Sequence, residues 1–144
     1  MKTFCKTGLL ALCLSASAWA GTVQVTVLAR DGQPLTDAVV RVEPTGHTPV
    51  APAPVQVQVR QEGLAFVPAL TVVPVGSTVE FVNLDRFEHH VRGTMGQALQ
   101  TASSTGGFEL RLGGRVEGRP APATKELLAQ AGPIQLGCHL HGSM

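Results

Sequence analysis

Outside its first twenty residues the sequence has one cysteine, no apolar run long enough to cross a membrane and almost no net charge. A chain whose only remaining thiol is Cys138 can form no internal disulfide. The apolar run from Gly8 to Ala18 is too short to span a bilayer. The whole chain has eleven Lys and Arg residues and ten Asp and Glu residues, and without Lys2 and Lys6 nine basic residues remain against ten acidic ones. This balance gives no electrostatic footprint for nucleic acid or for an anionic membrane. We therefore expect no nucleic-acid partner and no membrane anchor.

The first twenty residues have the pattern of a cleavable export signal. Lys2 and Lys6 give a positive start, an apolar stretch follows, and Ala18-Trp19-Ala20 has the small-residue spacing of a cleavage site. We expect cleavage after Ala20 and a periplasmic or secreted protein. Residues 21–144 are then expected to form one monomeric domain with a net charge of about −1.

Alternation of apolar and polar residues predicts that the chain consists of β-strands. Strands are predicted over Thr22–Ala29, Ala38–Glu43, Val55–Arg60, Leu70–Pro74, Thr78–Asn83, Phe108–Leu112 and Ile134–Gly137. The pair Asp31-Gly32 predicts a tight turn, and the Pro-rich run from Pro44 to Pro54 cannot form a regular ladder. Local propensity over Thr124–Ala131 favours a helix, which a sheet context can override. Strands at this spacing predict an all-β sandwich.

Histidines and the one remaining cysteine are concentrated in two segments. One is FVNLDRFEHHVRG at residues 81–93, which carries two adjacent histidines, and the other is GCHLHGSM at residues 137–144. His47 lies in the Pro-rich run and is interpreted as a solvated loop residue. An unpaired thiol is vulnerable in an oxidising compartment, and ligation of a metal would protect it.

The second segment has the spacing Cys-x2-His-x2-Met. A short loop can bring Cys138, His141 and Met144 to one point, and His89 or His90 then supplies a fourth ligand. Two imidazoles, a thiolate and a weak axial thioether are the donor set of a blue-copper site. Zinc is the competing metal, because one thiolate and three histidines also make a tetrahedral set. The order of affinities favours copper at comparable sites.

These segments resemble those of the cupredoxins, the small blue-copper proteins that include plastocyanin and amicyanin. The Cys-x2-His-x2-Met loop is similar to the short amicyanin loop, and VPVGSTVEFVN and FVNLDRFEHHV resemble the strand pair and turn that lead to the family's first histidine. The chain also resembles exported bacterial plastocyanin-like proteins that are labelled methylamine-utilisation proteins. The resemblance covers roughly Val55 to Met144, and it implies a Greek-key β-sandwich of the cupredoxin type.

The resemblance implies one copper ion per chain. Its ligands would be His89, Cys138, His141 and Met144, with Met144 axial. His89 is preferred to His90 because Phe87-Glu88-His89 fits the family's aromatic-x-His step. The family commonly has asparagine where this chain has His90, and a non-coordinating residue where it has His139. Both histidines therefore remain alternative ligands.

Two methionines bear on how the site is completed. Cupredoxins normally continue past the axial methionine into a last strand, whereas this sequence stops at Met144. We therefore expect a sandwich that lacks this strand, in a truncated copy of a longer protein. Met95 is a spare thioether, although RGTMG is interpreted as a flexible turn.

The expected function is electron transfer, in which a type 1 copper site takes single electrons from one redox protein and passes them to another. The alternative is a periplasmic copper carrier or buffer that delivers the metal to an exported enzyme. The chain is not expected to be an enzyme, because no third residue orients a Cys–His pair and neither a P-loop nor a Gly-x-Ser-x-Gly elbow is present. Asp85 and Glu88 are interpreted as surface carboxylates.

Overall fold

The computed structural model describes residues 22–46, 50–96, 107–142 and 144. The chain divides into two compact units, Met1–Val40 and Arg41–Met144. Every strand among the described residues lies in the second unit: β1 (Gln56–Gln61), β2 (Phe66–Val67), β3 (Thr78–Asn83), β4 (His89–Met95), β5 (Phe108–Leu112), β6 (Ala123–Leu127) and β7 (Ile134–Cys138). The described residues contain no helix, so none of them forms an apolar helix of membrane-spanning length. The predicted export signal and His47 lie outside the described residues.

The strands form two sheets, which confirms the all-β prediction and is consistent with a sandwich. One sheet has the order β2-β1-β3-β6, and the other has the order β5-β4-β7. In the first sheet β1 and β3 run parallel, while the remaining pairs are antiparallel. The second sheet is antiparallel throughout.

One apolar cluster joins the two sheets. Its buried members are Val59, Val79 and Phe81 from the four-stranded sheet and Val91 and Leu112 from the three-stranded sheet. Because side chains alternate between the faces of a strand, each sheet presents one apolar row to this cluster. Full burial of a side chain of this size stabilises the fold by about 1.5–3 kcal/mol. The cluster therefore fixes β4 relative to β3, and β4 begins at a predicted metal ligand.

Four predicted strands are confirmed. Thr78–Asn83 and Phe108–Leu112 coincide with β3 and β5, while β1 is displaced by one residue and β7 extends one residue further to Cys138. In each of these runs the apolar positions of the sequence have found a facing sheet.

Three predicted strands are wrong. Residues 22–29 contain only an isolated bridge between Leu28 and Pro34, which closes the turn predicted at Asp31-Gly32. Val23 is 75% exposed, so the alternation there lacks the buried face that makes a strand stable. Ala38–Glu43 and Leu70–Pro74 also form no strand.

Two further segments differ from their sequence-based interpretation. The helix favoured over Thr124–Ala131 is replaced by β6, in which Thr124 pairs with Phe81 of β3. Sheet hydrogen bonds have overridden local helix propensity there. Met95 belongs to β4 and pairs with Ile134, so the interpretation of RGTMG as a flexible turn is wrong.

Candidate metal centre

Neighbouring strands carry two of the predicted ligands to the interior. His89 is the first residue of β4 and Cys138 is the last residue of β7, and the register pairs Val91 with Cys138. His89 has the same strand parity as the fully buried Val91, so both side chains face inward. His89 is fully buried and Cys138 is 8% exposed. Strand pairing alone thus places a thiol and an imidazole beside each other.

The loop after β7 returns His141 to the same point. The Cys138 sulfur lies 3.5 Å from Nδ1 of His89 and 3.3 Å from Nδ1 of His141. The centroids of the two imidazole rings are 4.9 Å apart, and the ring planes are inclined at 67° to each other. The ligand atoms of these three residues all lie within 4.8 Å of one another. They form a cluster that could hold a metal ion.

The spacing of the donor atoms fits a single ion. A metal that binds sulfur at about 2.3 Å and imidazole nitrogen at about 2.0 Å in a tetrahedral or trigonal arrangement separates S and N by roughly 3.5 Å. Both sulfur–nitrogen distances in the cluster are close to this value. The position of the sulfur relative to each imidazole is therefore already that expected around a bound ion.

Asp85 orients the His89 ring from behind. Nε2 of His89 lies 2.9 Å from Oδ2 of Asp85, whose side chain is 12% exposed. With Nε2–H donating to the carboxylate, Nδ1 is left unprotonated and directed at the Cys138 sulfur. A carboxylate partner of this kind fixes the tautomer of a metal-binding histidine and raises its basicity.

The carboxylate of Asp85 is itself held in place. Oδ1 accepts a hydrogen bond from the Gly63 amide at 2.8 Å, and Oδ2 accepts one from the Leu64 amide at 3.2 Å. Burial raises the pKa of the Asp85 carboxyl, but the hydrogen bonds from His89, Gly63 and Leu64 outweigh it and hold the pKa below its ordinary value. The group is ionised at neutral pH, and its interpretation as a surface carboxylate is wrong. Glu88, which pairs with Arg111 at 3.2 Å, is half exposed as predicted.

Asn83 fixes the loop that carries Asp85. Its side chain is fully buried, and Nδ2 donates to the carbonyls of Phe87 at 2.8 Å and Gly113 at 2.9 Å. Its Oδ1 accepts the Asp85 amide at 2.9 Å. The sequence signal for this role was available, because Asn83 continues the inward parity of Val79 and Phe81. A polar residue at a core position needs hydrogen-bond partners inside the protein.

The apolar surroundings of the histidines come from Phe87. Its ring centroid lies 5.2 Å from that of His89 and 5.1 Å from that of His141. Phe87 remains 43% exposed, so it separates the two imidazoles from solvent on one side only.

His90, His139 and Met144 are the other candidate ligands. His90 points to the opposite face of the sheet, where Nε2 lies 3.3 Å from Glu109 and its ring lies beside that of His139. Met144 is half-buried, and its carbonyl accepts the Cys138 amide at 3.4 Å while its own amide donates to the His141 carbonyl at 3.1 Å. Its backbone thus closes the ligand loop, and its axial thioether role stays a prediction.

The cluster defines three donors without identifying the ion. Comparison with family models, with curated proteins and with solved structures finds nothing that matches this chain. The nature of the centre is therefore inferred from its donor atoms and from the side chains that surround them.

Proposed function

We propose that this protein carries single electrons through a mononuclear type 1 copper site of the cupredoxin kind. The ligands are His89, Cys138, His141 and an axial Met144. The observation that carries the proposal is the buried Cys138 sulfur, which lies 3.5 and 3.3 Å from Nδ1 of two histidines. The two-sheet fold supports the proposed Greek-key sandwich, and the predicted export signal fits a periplasmic location.

The donor set favours copper over zinc. A trigonal set of two imidazoles and one thiolate with a weak axial thioether is characteristic of blue copper, and copper stands above zinc in the order of affinities. Zinc gains nothing from Met144 and would require a fourth strong donor. The two alternative histidines that could supply one, His90 and His139, lie side by side on the other face of the sheet.

Rigid ligands support a role in electron transfer. The chain of contacts from the Gly63 amide to Asp85 and on to His89 holds the ring in one orientation. A copper ion at such a site changes oxidation state with little movement of its ligands. His141 is half-buried, and Leu140 beside it is 46% exposed. This edge gives electrons a short route to a partner redox protein.

The second candidate is a periplasmic copper carrier or buffer that delivers the metal to an exported enzyme. The exposed His139, which lies beside His90, favours it. A carrier benefits from donors at which the metal can arrive or depart, whereas a pure electron carrier does not require them.

A Cu(II) titration of residues 21–144 followed by visible absorption tests the proposal. We expect an intense thiolate-to-copper band that saturates at one equivalent and is lost in Cys138→Ser. The control His139→Gln alters the adjacent residue on the other face and should keep the band. Reversible one-electron voltammetry of the loaded protein is then expected. Copper binding that gives no such band but is lost in Cys138→Ser, and therefore occurs at the inner cluster, would favour the carrier. Absence of binding at this cluster would contradict both candidates.

A further inference from the structure

The outer face of the three-stranded sheet has its own group of ligand-type side chains. The register pairs Val91 of β4 with Cys138, the last residue of β7. Continued by one residue, this register sets His90 directly opposite His139, which follows β7. The His139 amide donates to the His90 carbonyl at 2.9 Å. Directly opposed residues of an antiparallel pair have Cβ atoms only about 5 Å apart. Two imidazoles are thus held side by side by backbone register.

A carboxylate on the third strand completes the group. Glu109 of β5 is diagonal to His90, and its Oε2 lies 3.3 Å from His90 Nε2. Its Oε1 is bound by Arg92, at 2.8 Å from Nε and 2.7 Å from the terminal nitrogen. The side chains of His90 and Glu109 are 17% and 49% exposed, so solvent reaches the group.

The separation of the two rings fits chelation of one ion. A metal bound to a ring nitrogen at about 2.0 Å lies roughly 3 Å from that ring's centroid, so that two chelating rings can be up to about 6 Å apart. The centroids of His90 and His139 are 5.6 Å apart, compared with 4.9 Å for His89 and His141 in the inner cluster. The donor atoms of His90, Glu109 and His139 do not cluster within 4.8 Å as those of the inner group do, so the exposed His139 ring must rotate before both rings can bind one ion.

We propose that His90, His139 and Glu109 form a second, surface site for a divalent cation that prefers imidazole, Cu²⁺ or Zn²⁺. Imidazole suits both ions, and a carboxylate oxygen adds charge. The site has no sulfur donor, so it binds Cu²⁺ without a thiolate band. The Arg92 guanidinium repels a cation and occupies one oxygen of Glu109, which makes the site weaker than the inner cluster. This inference does not rest on the proposed electron-transfer role.

Calorimetric titration tests the outer site with the inner thiolate first blocked by one equivalent of Hg²⁺. We expect residues 21–144 to bind one equivalent of Cu²⁺, and likewise of Zn²⁺. His139→Gln should weaken this binding roughly 100-fold, because loss of the second imidazole removes an intramolecular binding step. Arg92→Gln should strengthen it, since it removes a positive charge and frees Glu109. His47→Gln is the control and should change nothing.

The opposite pattern would overturn the inference. Binding that is unchanged in His139→Gln, or that is lost in His47→Gln instead, assigns the ion to another histidine. Binding that weakens in Arg92→Gln contradicts the role given to that charge. Because His139 is exposed, its substitution leaves the core intact, and circular dichroism of the variant checks this. The inner thiolate band is measured on unblocked protein, so failure of the electron-transfer proposal is detected separately.

Discussion

β4 begins with His89 and His90, and β7 ends at Cys138 with His139 directly after it. The two residues of each pair lie on different faces, because consecutive side chains point to opposite faces of the sheet. On the inner face, His89 and Cys138 are buried, and the second nitrogen of His89 is held by Asp85. On the outer face, His139 is exposed and His90 shares its only carboxylate with Arg92. Both faces carry histidines, but only the inner face carries a thiol. The inner face differs in the burial of His89 and Cys138 and in the carboxylate that holds the His89 ring, and both features favour a preorganised centre.

The largest expected effect is the loss of stability when Asn83 is removed from the inner face. Asn83→Ala leaves the carbonyls of Phe87 and Gly113 without this donor and the Asp85 amide without its acceptor. Since each unsatisfied buried group costs about 1–3 kcal/mol, we expect the free energy of unfolding to fall by about 3 kcal/mol in chemical denaturation. The control is Gln58→Ala, an amide on the exposed face whose hydrogen bond to Glu80 is 3.0 Å. A change below about 0.5 kcal/mol is expected there, and equal losses in both variants would contradict the clamp role of Asn83.

A smaller loss of stability is expected where Gly114 packs against the loop that carries Asp85. A Cβ at Gly114 would lie 2.2 Å from the carbonyl oxygen of Arg86, whereas a Cβ at Gly113 would meet nothing within 4 Å. Gly114→Ala must displace the Arg86 carbonyl in the loop of Asp85, and we expect about 2 kcal/mol of destabilisation, as for other overpacked sites. Gly113→Ala should leave the thermal midpoint unchanged or slightly higher. Equal thermal midpoints in the two variants would show that the loop yields freely.

Removal of Asp85 takes away the carboxylate that distinguishes His89 from the histidines of the outer face. Asp85→Ala frees Nε2 of His89 and should weaken metal binding by about tenfold or more, as is usual when the partner of a metal-binding histidine is lost. The measurement is a competition titration with a chelator of known affinity. Glu88→Ala is the matched control, because this carboxylate lies three residues away and contacts only Arg111 among the described ion pairs. If both variants bind equally well, the carboxylate behind His89 has no effect on the metal.

The smallest effect is expected for an ion pair on the outer face. Arg111 lies 3.2 Å from Glu88, with side chains 67% and 46% exposed. Exposed pairs contribute about 0–1 kcal/mol because solvent screens them. Arg111→Gln should therefore change the free energy of unfolding by less than about 0.5 kcal/mol in urea denaturation. A loss comparable to that of Asn83→Ala would remove the distinction between the two faces.

Sequence alternation predicts strands well only where a partner strand exists. The runs Thr22–Ala29 and Val55–Arg60 have the same apolar–polar pattern, yet only the second corresponds to a strand, β1, which lies between β2 and β3. The pattern shows which face of a strand could be buried. It does not name the neighbour that buries it, because that neighbour is distant in sequence.

The site follows the same division between local and distant information. The spacing of Cys138 and His141 predicted their convergence, and the inward parity of His89 with Val91 supports its choice over His90. Asp85 was missed because its burial depends on amides 21 and 22 residues earlier, at Leu64 and Gly63. Spacing thus predicts ligands that lie within one loop. It does not predict a side chain such as Asp85, whose position depends on residues that are distant in the sequence.

The two amides that hold Asp85 would report metal binding at the candidate centre from a distance. Gly63 and Leu64 follow β1 in the four-stranded sheet, whereas His89 begins β4 in the three-stranded sheet. Their hydrogens can exchange with solvent deuterium only when the bond to the Asp85 carboxylate opens. An ion bound by His89 would also restrain its carboxylate partner, so we expect metal binding to slow the exchange of these two hydrogens. The exchange rate of amides in the turn after β1 would thereby report whether an ion is bound at the other sheet.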